Sequence, residues 1–82
     1  MDLVEVTWYD AVDRNDIKLD DIKKKSTKEY LSKRKTYGLL AKKDKFGIVL
    51  IRDIDQENVC EITSIPAKWI IKITKPIQRG VN

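Results

Sequence analysis

Residues 37–73 read YGLLAKKDKFGIVLIRDIDQENVCEITSIPAKWIIKI, and the turns and breaks within them decide the fold. Phe46 to Ile51 is the most apolar run of the chain, entered from the short polar turn Lys43-Asp44-Lys45 and left through the polar loop Asp53 to Asn58. Strand side chains alternate, so Ile48 and Leu50 point one way while Val49 and Ile51 point the other. A small barrel has one interior, so the second apolar face lies under the N-terminal segment or in a subunit interface. Val59 to Ile65 makes the next strand, and Pro66 holds Ile65 extended and ends it in a corner. Pro66-Ala67-Lys68-Trp69 forms one tight turn into a last strand, Ile70 to Thr74.

Upstream, Leu3 to Tyr9 alternates as a half-buried strand, with Val4, Val6 and Trp8 opposite Glu5 and Thr7. The polar stretch 13–21, DRNDIKLDD, leads into a helix of one or two turns around Leu19 to Lys24. Such a helix is too short to stand alone in water, so it caps the barrel or packs on its rim. Lys23 to Lys28 reads as an exposed loop. Tyr30 to Lys42 reads as a long strand, with Leu31, Lys33, Lys35 and Tyr37 on one face and Ser32, Arg34 and Thr36 on the other. Gly38 marks a bend or bulge in it. The order is that of a mainly β chain: a small five-stranded antiparallel barrel, with one short helix after strand 1 and a one-turn corner before the last strand. It resembles the Src-homology-3-like barrels and their Sm-like relatives. Trp8 and Phe46 are expected inside, with Trp69 in the core or at an interface. Residues 1–75 form one domain and 76–82 a frayed tail.

The chain has 82 residues and a mass of 9.6 kDa, enough for a single modest core. It contains no histidine, which removes the commonest general base and the commonest transition-metal ligand. Cys60 is the only cysteine; this excludes a disulfide or a cysteine zinc cluster within the chain and fits a reducing compartment, with Cys60 a small buried strand residue. No apolar run reaches the roughly 18 residues of a membrane span, and Asp2 and Glu5 stand where a signal peptide carries positive charge. The expected location is the cytoplasm. The carboxylates Asp53, Asp55 and Glu57 lack the glycine and terminal glutamate of a calcium loop. No enzyme, cofactor or metal is expected.

Net charge is +4, unevenly placed: −4 over residues 1–17, +7 over 18–45 and +1 over the remainder. A basic middle third suits an anion-binding face. The competing reading is genome composition, since Ile outnumbers Leu eleven to six and Lys far outnumbers Arg.

VEVTWYDAV at 4–12, GLLAKKDKFGIVLIRDID at 38–55 and SIPAKWIIKI at 64–73 together resemble a group of small accessory proteins encoded by phages and prophages. Trp8, Asp10 and Ala11 match the opening of that pattern, Gly38 and Leu40 its centre, Ile48, Val49 and Leu50 its third strand, and Ile65 and Pro66 its close. Leu39 replaces a tryptophan of the pattern, and the turn at 42–45 is basic where the group is acidic. The resemblance implies a phage accessory protein acting in the host cytoplasm. The expected function is non-enzymatic counter-defence, in which a basic homo-oligomeric barrel sequesters a phosphate-bearing nucleotide. Lys33, Arg34, Lys35, Lys42, Lys43 and Lys45 would converge on phosphates at one end of the barrel, with Tyr37 and Trp69 covering the base. Val49, Ile51 and Ile70 are the expected interface. The alternatives are an inhibitor that docks on a host protein through an apolar strand face, and a nucleic-acid-binding small barrel.

Overall fold

The structure, a computed structural model, describes residues 1–76; the expected tail beyond Pro76 lies outside them. Five strands, β1 (Leu3–Asp10), β2 (Ser32–Asp44), β3 (Gly47–Ile54), β4 (Cys60–Pro66) and β5 (Ile70–Thr74), form one antiparallel sheet in the order β4-β3-β2-β1-β5. A helix α1 (Leu19–Lys24) and a 3₁₀ turn (Thr27–Tyr30) lie between β1 and β2, and a second 3₁₀ turn (Ala67–Trp69) makes the corner before β5. None of these helices is long and apolar enough to cross a membrane.

Cross-strand partners share a face, and the register sorts the side chains accordingly. Val4, Val6 and Trp8 of β1 share the core face with Gly38 and Leu40 of β2, Ile48 and Leu50 of β3, Ile65 of β4 and Ile70 and Ile73 of β5. Among the described residues, the apolar side chains fully buried there are Val4, Val6, Ile48, Leu50 and Ile65, with Gly38 buried beside them. Trp8 is half-buried, its indole Nε1 donating to Thr36 Oγ1 at 2.9 Å.

The expected closed barrel is not formed. β4 and β5 are the two edges of an open sheet, and no ladder joins them among the described residues. β5 has five residues, bulges at Ile71 and is committed to β1, while the five apolar side chains buried among the described residues make a core too small to fill a closed barrel. Other expectations shift with it. The bulge in β2 falls at Ala41, not at Gly38, which is buried opposite Val4. Phe46 is not in the core but 76% exposed at the hairpin tip. Asp44 Oδ1 accepts the Phe46 N–H at 2.9 Å, which turns the chain at Lys45–Phe46 and lifts the ring out of the strand. Cys60 is exposed at the start of the edge strand β4.

The largest departure is α1. It caps nothing: every residue from 11 to 29 is exposed and α1 buries no side chain. The arm is still ordered locally. Lys25 N–H donates to Asp21 O, and Ser26 opens the 3₁₀ turn with a reciprocal capping box, its hydroxyl accepting from Lys28 N–H and its own N–H donating to Glu29. The radius of gyration is 16.7 Å, against about 12 Å for a compact chain of this length.

Candidate functional site

The six basic residues singled out in the sequence do not converge. Lys33 and Lys42 stand toward opposite ends of β2, nine strand steps or about 30 Å of strand path apart. Lys33 and Lys35 lie on the outer face opposite Tyr9 and Thr7, with Tyr37 opposite Glu5. Arg34 is on the core face opposite Trp8, at its open end, and its guanidinium meets Asp10 at 2.9 Å. Lys42 is on the outer face opposite Val49, and Lys43 on the other face opposite Ile48. Lys45 lies at the hairpin tip with its ammonium 5.1 Å from the centre of the Phe46 ring. Trp69 stacks on Trp8 with ring centres 6.4 Å apart and stays partly exposed at the corner.

The sheet instead assembles a row that no local reading of the sequence contains. Thr7 in β1 has Lys35 of β2 on one side and Lys72 of β5 on the other. Strands lie about 4.8 Å apart, so the two lysine Cα positions straddle Thr7 at about 10 Å. Tyr9, opposite Lys33, lies one outer-face step along β1 from Thr7, and Glu5, opposite Tyr37, lies one step the other way. Three lysines therefore face one carboxylate within a short strip flanked by two phenol rings. The Tyr37 hydroxyl, with Lys35 and Lys72 adding to it, holds the Glu5 carboxyl below its ordinary range, and the same contact pushes Tyr37 up. Lys35 Nζ lies 3.6 Å from Glu5 Oε1. Thr7 is buried, and its hydroxyl has no hydrogen-bond partner among the described residues.

A second feature of the same face is apolar. Leu3, Leu39, Ile51 and Ile62 are in direct register across β1, β2, β3 and β4, a row about 14 Å long. Leu3 and Ile62 at its ends are about half exposed, and an open depression beside it is lined by Tyr37 and Ile54. Ile51 belongs to this row, Val49 lies half-buried beside it, and Ile70 packs against the core instead of facing outward.

The acidic loop after β3 is organised by its own backbone. Asp55 Oδ1 accepts the N–H groups of Glu57 at 2.8 Å and Val59 at 3.0 Å, and Asn58 takes a positive φ of 64°. Among the described residues no group of three or more His, Cys, Asp or Glu is arranged to hold a metal ion. Comparison with protein-family models, with curated proteins and with solved structures finds no match.

Proposed function

We propose that this chain is a non-enzymatic binding protein whose outer sheet face holds a phosphate-bearing nucleotide. The observation that carries the reading is the Lys35–Thr7–Lys72 row with Lys33, Tyr9 and Tyr37 around it. Two ammonium groups on alternate strands can share a phosphate between them, each supplying a charge-assisted hydrogen bond. Tyrosine beside them gives a base a flat apolar surface to cover. The resemblance to small phage accessory proteins supports a counter-defence role, with a host nucleotide signal as the ligand sequestered in the infected cell. The five-strand order with its 3₁₀ corner supports reading the architecture as an opened relative of the Src-homology-3-like and Sm-like barrels.

A panel of cyclic and linear nucleotides tested by thermal shift decides the matter. At about a hundred times its Kd a ligand adds roughly 2.7 kcal/mol to the folded state, a shift of many degrees for a domain of this size. The double variant Lys35→Ala/Lys72→Ala should lose that shift while keeping its own melting temperature near that of the parent. No shift with any member of the panel sinks the reading.

The strip is open at both ends, which favours single-stranded nucleic acid as a second reading. In that case affinity rises with oligonucleotide length and falls steeply with salt.

A further inference from the structure

Three rows of different chemistry follow one another along the outer face. The first is the cation row Lys35–Thr7–Lys72. One outer-face step along β1, about 7 Å, brings Tyr37–Glu5–Thr74, a carboxylate between two hydroxyls. A further step reaches Leu3 and Leu39, where the open depression beside Tyr37 measures about 390 Å³, within the range of small-ligand sites. Cation, polar acceptor and apolar floor stand in the order phosphate, sugar and base of a nucleoside 5′-phosphate. From Thr7 to Leu3 the rows span about 13 Å, close to the length of such a molecule laid out along β1.

The middle row has the chemistry of a sugar site. Tyr37, with Lys35 adding to it, keeps the Glu5 carboxyl below its ordinary range, so Glu5 is ionised at neutral pH and only accepts hydrogen bonds. A carboxylate has room for several donors, and its two oxygens suit the paired hydroxyls of a ribose. The Lys35 ammonium, 3.6 Å from Oε1, is beyond ordinary hydrogen-bond length and leaves that capacity open. Tyr37 and Thr74 on either side are exposed. The same negative charge works against any phosphate placed in this row.

We infer that Glu5 selects nucleotides with a free ribose 2′,3′-diol, so that the ligand of this face is a linear nucleoside 5′-phosphate. Its phosphate lies between Lys35 and Lys72, its diol on Glu5 with Thr74 beside it, and its base over Leu3 and Leu39 against Tyr37. The inference rests on the nucleotide reading and narrows it. A 3′,5′-cyclic nucleotide lacks the free 3′-hydroxyl, and an inner residue of a nucleic-acid strand carries a 3′-phosphate that meets the Glu5 charge. Lysines alone cannot make this distinction, because they favour every added phosphate.

Calorimetric titration of the full chain at one fixed salt concentration tests it. The 5′-monophosphates of adenosine, guanosine, cytidine and uridine are compared first. The best of them is then set against its 2′,3′-dideoxy form, its 3′,5′-cyclic form and the 3′,5′-bisphosphate of the same nucleoside. The 5′-monophosphate should bind at least about tenfold more tightly than each of the three, the scale of a hydrogen bond to a charged group. Glu5→Gln should reverse the last comparison and bind the bisphosphate more tightly, as a site of lysines alone would. Should that variant not fold, the ranking in the parent decides by itself. A parent that binds the dideoxy form equally well, or the cyclic form or the bisphosphate more tightly, overturns the inference and leaves the nucleotide reading standing. A Glu5→Gln variant that keeps the parent's ranking overturns it too, since another group then reads the diol. If none of the four monophosphates binds, the inference falls together with the nucleotide reading.

Discussion

Gly47 shows how little room the hairpin leaves. Its φ is +157°, and a Cβ built there would stand 2.2 Å from the Ile65 carbonyl oxygen, because β3 and β4 draw together opposite Pro66. Gly47→Ala should therefore cost at least about 2 kcal/mol in urea denaturation, the scale of a strained backbone position with a steric clash added. Gly38→Ala, whose Cβ would meet Ile51 O at 2.9 Å without a positive φ, should cost less. Equal losses at the two sites would mean that backbone conformation at Gly47 is not what matters. The turn itself was legible in the sequence, since an aspartate followed two residues later by a position needing its N–H satisfied is a turn signal. Its consequence for Phe46 was not: a large aromatic at the head of an apolar run reads as core until Asp44 is seen to pull the turn forward by one residue.

At the scale of elements, β1 and β2 are tied on the outer face by Glu5, Tyr37 and Lys35, and this gives the pair a pH signature. The Glu5 carboxyl is held below its ordinary value of 4.5, so its contribution is complete above that value and is lost as pH falls through the folded one. Tyr37 is raised above 10.0, so the phenol contributes below that value and the contribution is lost as pH rises beyond it. Melting temperatures followed from about pH 7 down to about pH 3 should fall more steeply for the parent than for Glu5→Gln. Parallel acid limbs would remove the pairing. Most strands were legible because alternation survives in Leu3–Tyr9, because Pro66 stops β4 and because the tight corner after it leads into Ile70–Thr74. The 3₁₀ turn was also within reach, as Ser26-Thr27-Lys28-Glu29 is a capping box that a run of lysines disguises as loop. The exposure of α1 was not legible: its Leu and Ile spacing promises a partner and says nothing of where the partner comes from.

At the scale of the molecule, the fold rests on a small core, in which Val4, Val6, Ile48, Leu50 and Ile65 are the buried apolar side chains among the described residues. A chain of 82 residues holds about 4–12 kcal/mol of stability in all, and truncating a fully buried leucine costs about 2–5 kcal/mol. Leu50→Ala, at a site with no exposure, should leave a large unfolded fraction at 25 °C by circular dichroism. A melting temperature unchanged by it would show that the core lies elsewhere. The candidate site was legible only in half: Lys33, Lys35 and Tyr37 follow from strand alternation, whereas Lys72 joins them through a pairing that no neighbouring residue announces. Glu5 pairs with Thr74, 69 positions on, and Trp8 with Ile70. The β2–β3 and β3–β4 hairpins can form from nearby chain, but β5 has to find the first strand across nearly the full length. During synthesis, β1 emerges from the ribosome early and then waits with its outer backbone groups unpaired until the last strand is made. The edge of β1 that β5 covers stays open on the nascent chain until β5 has been made.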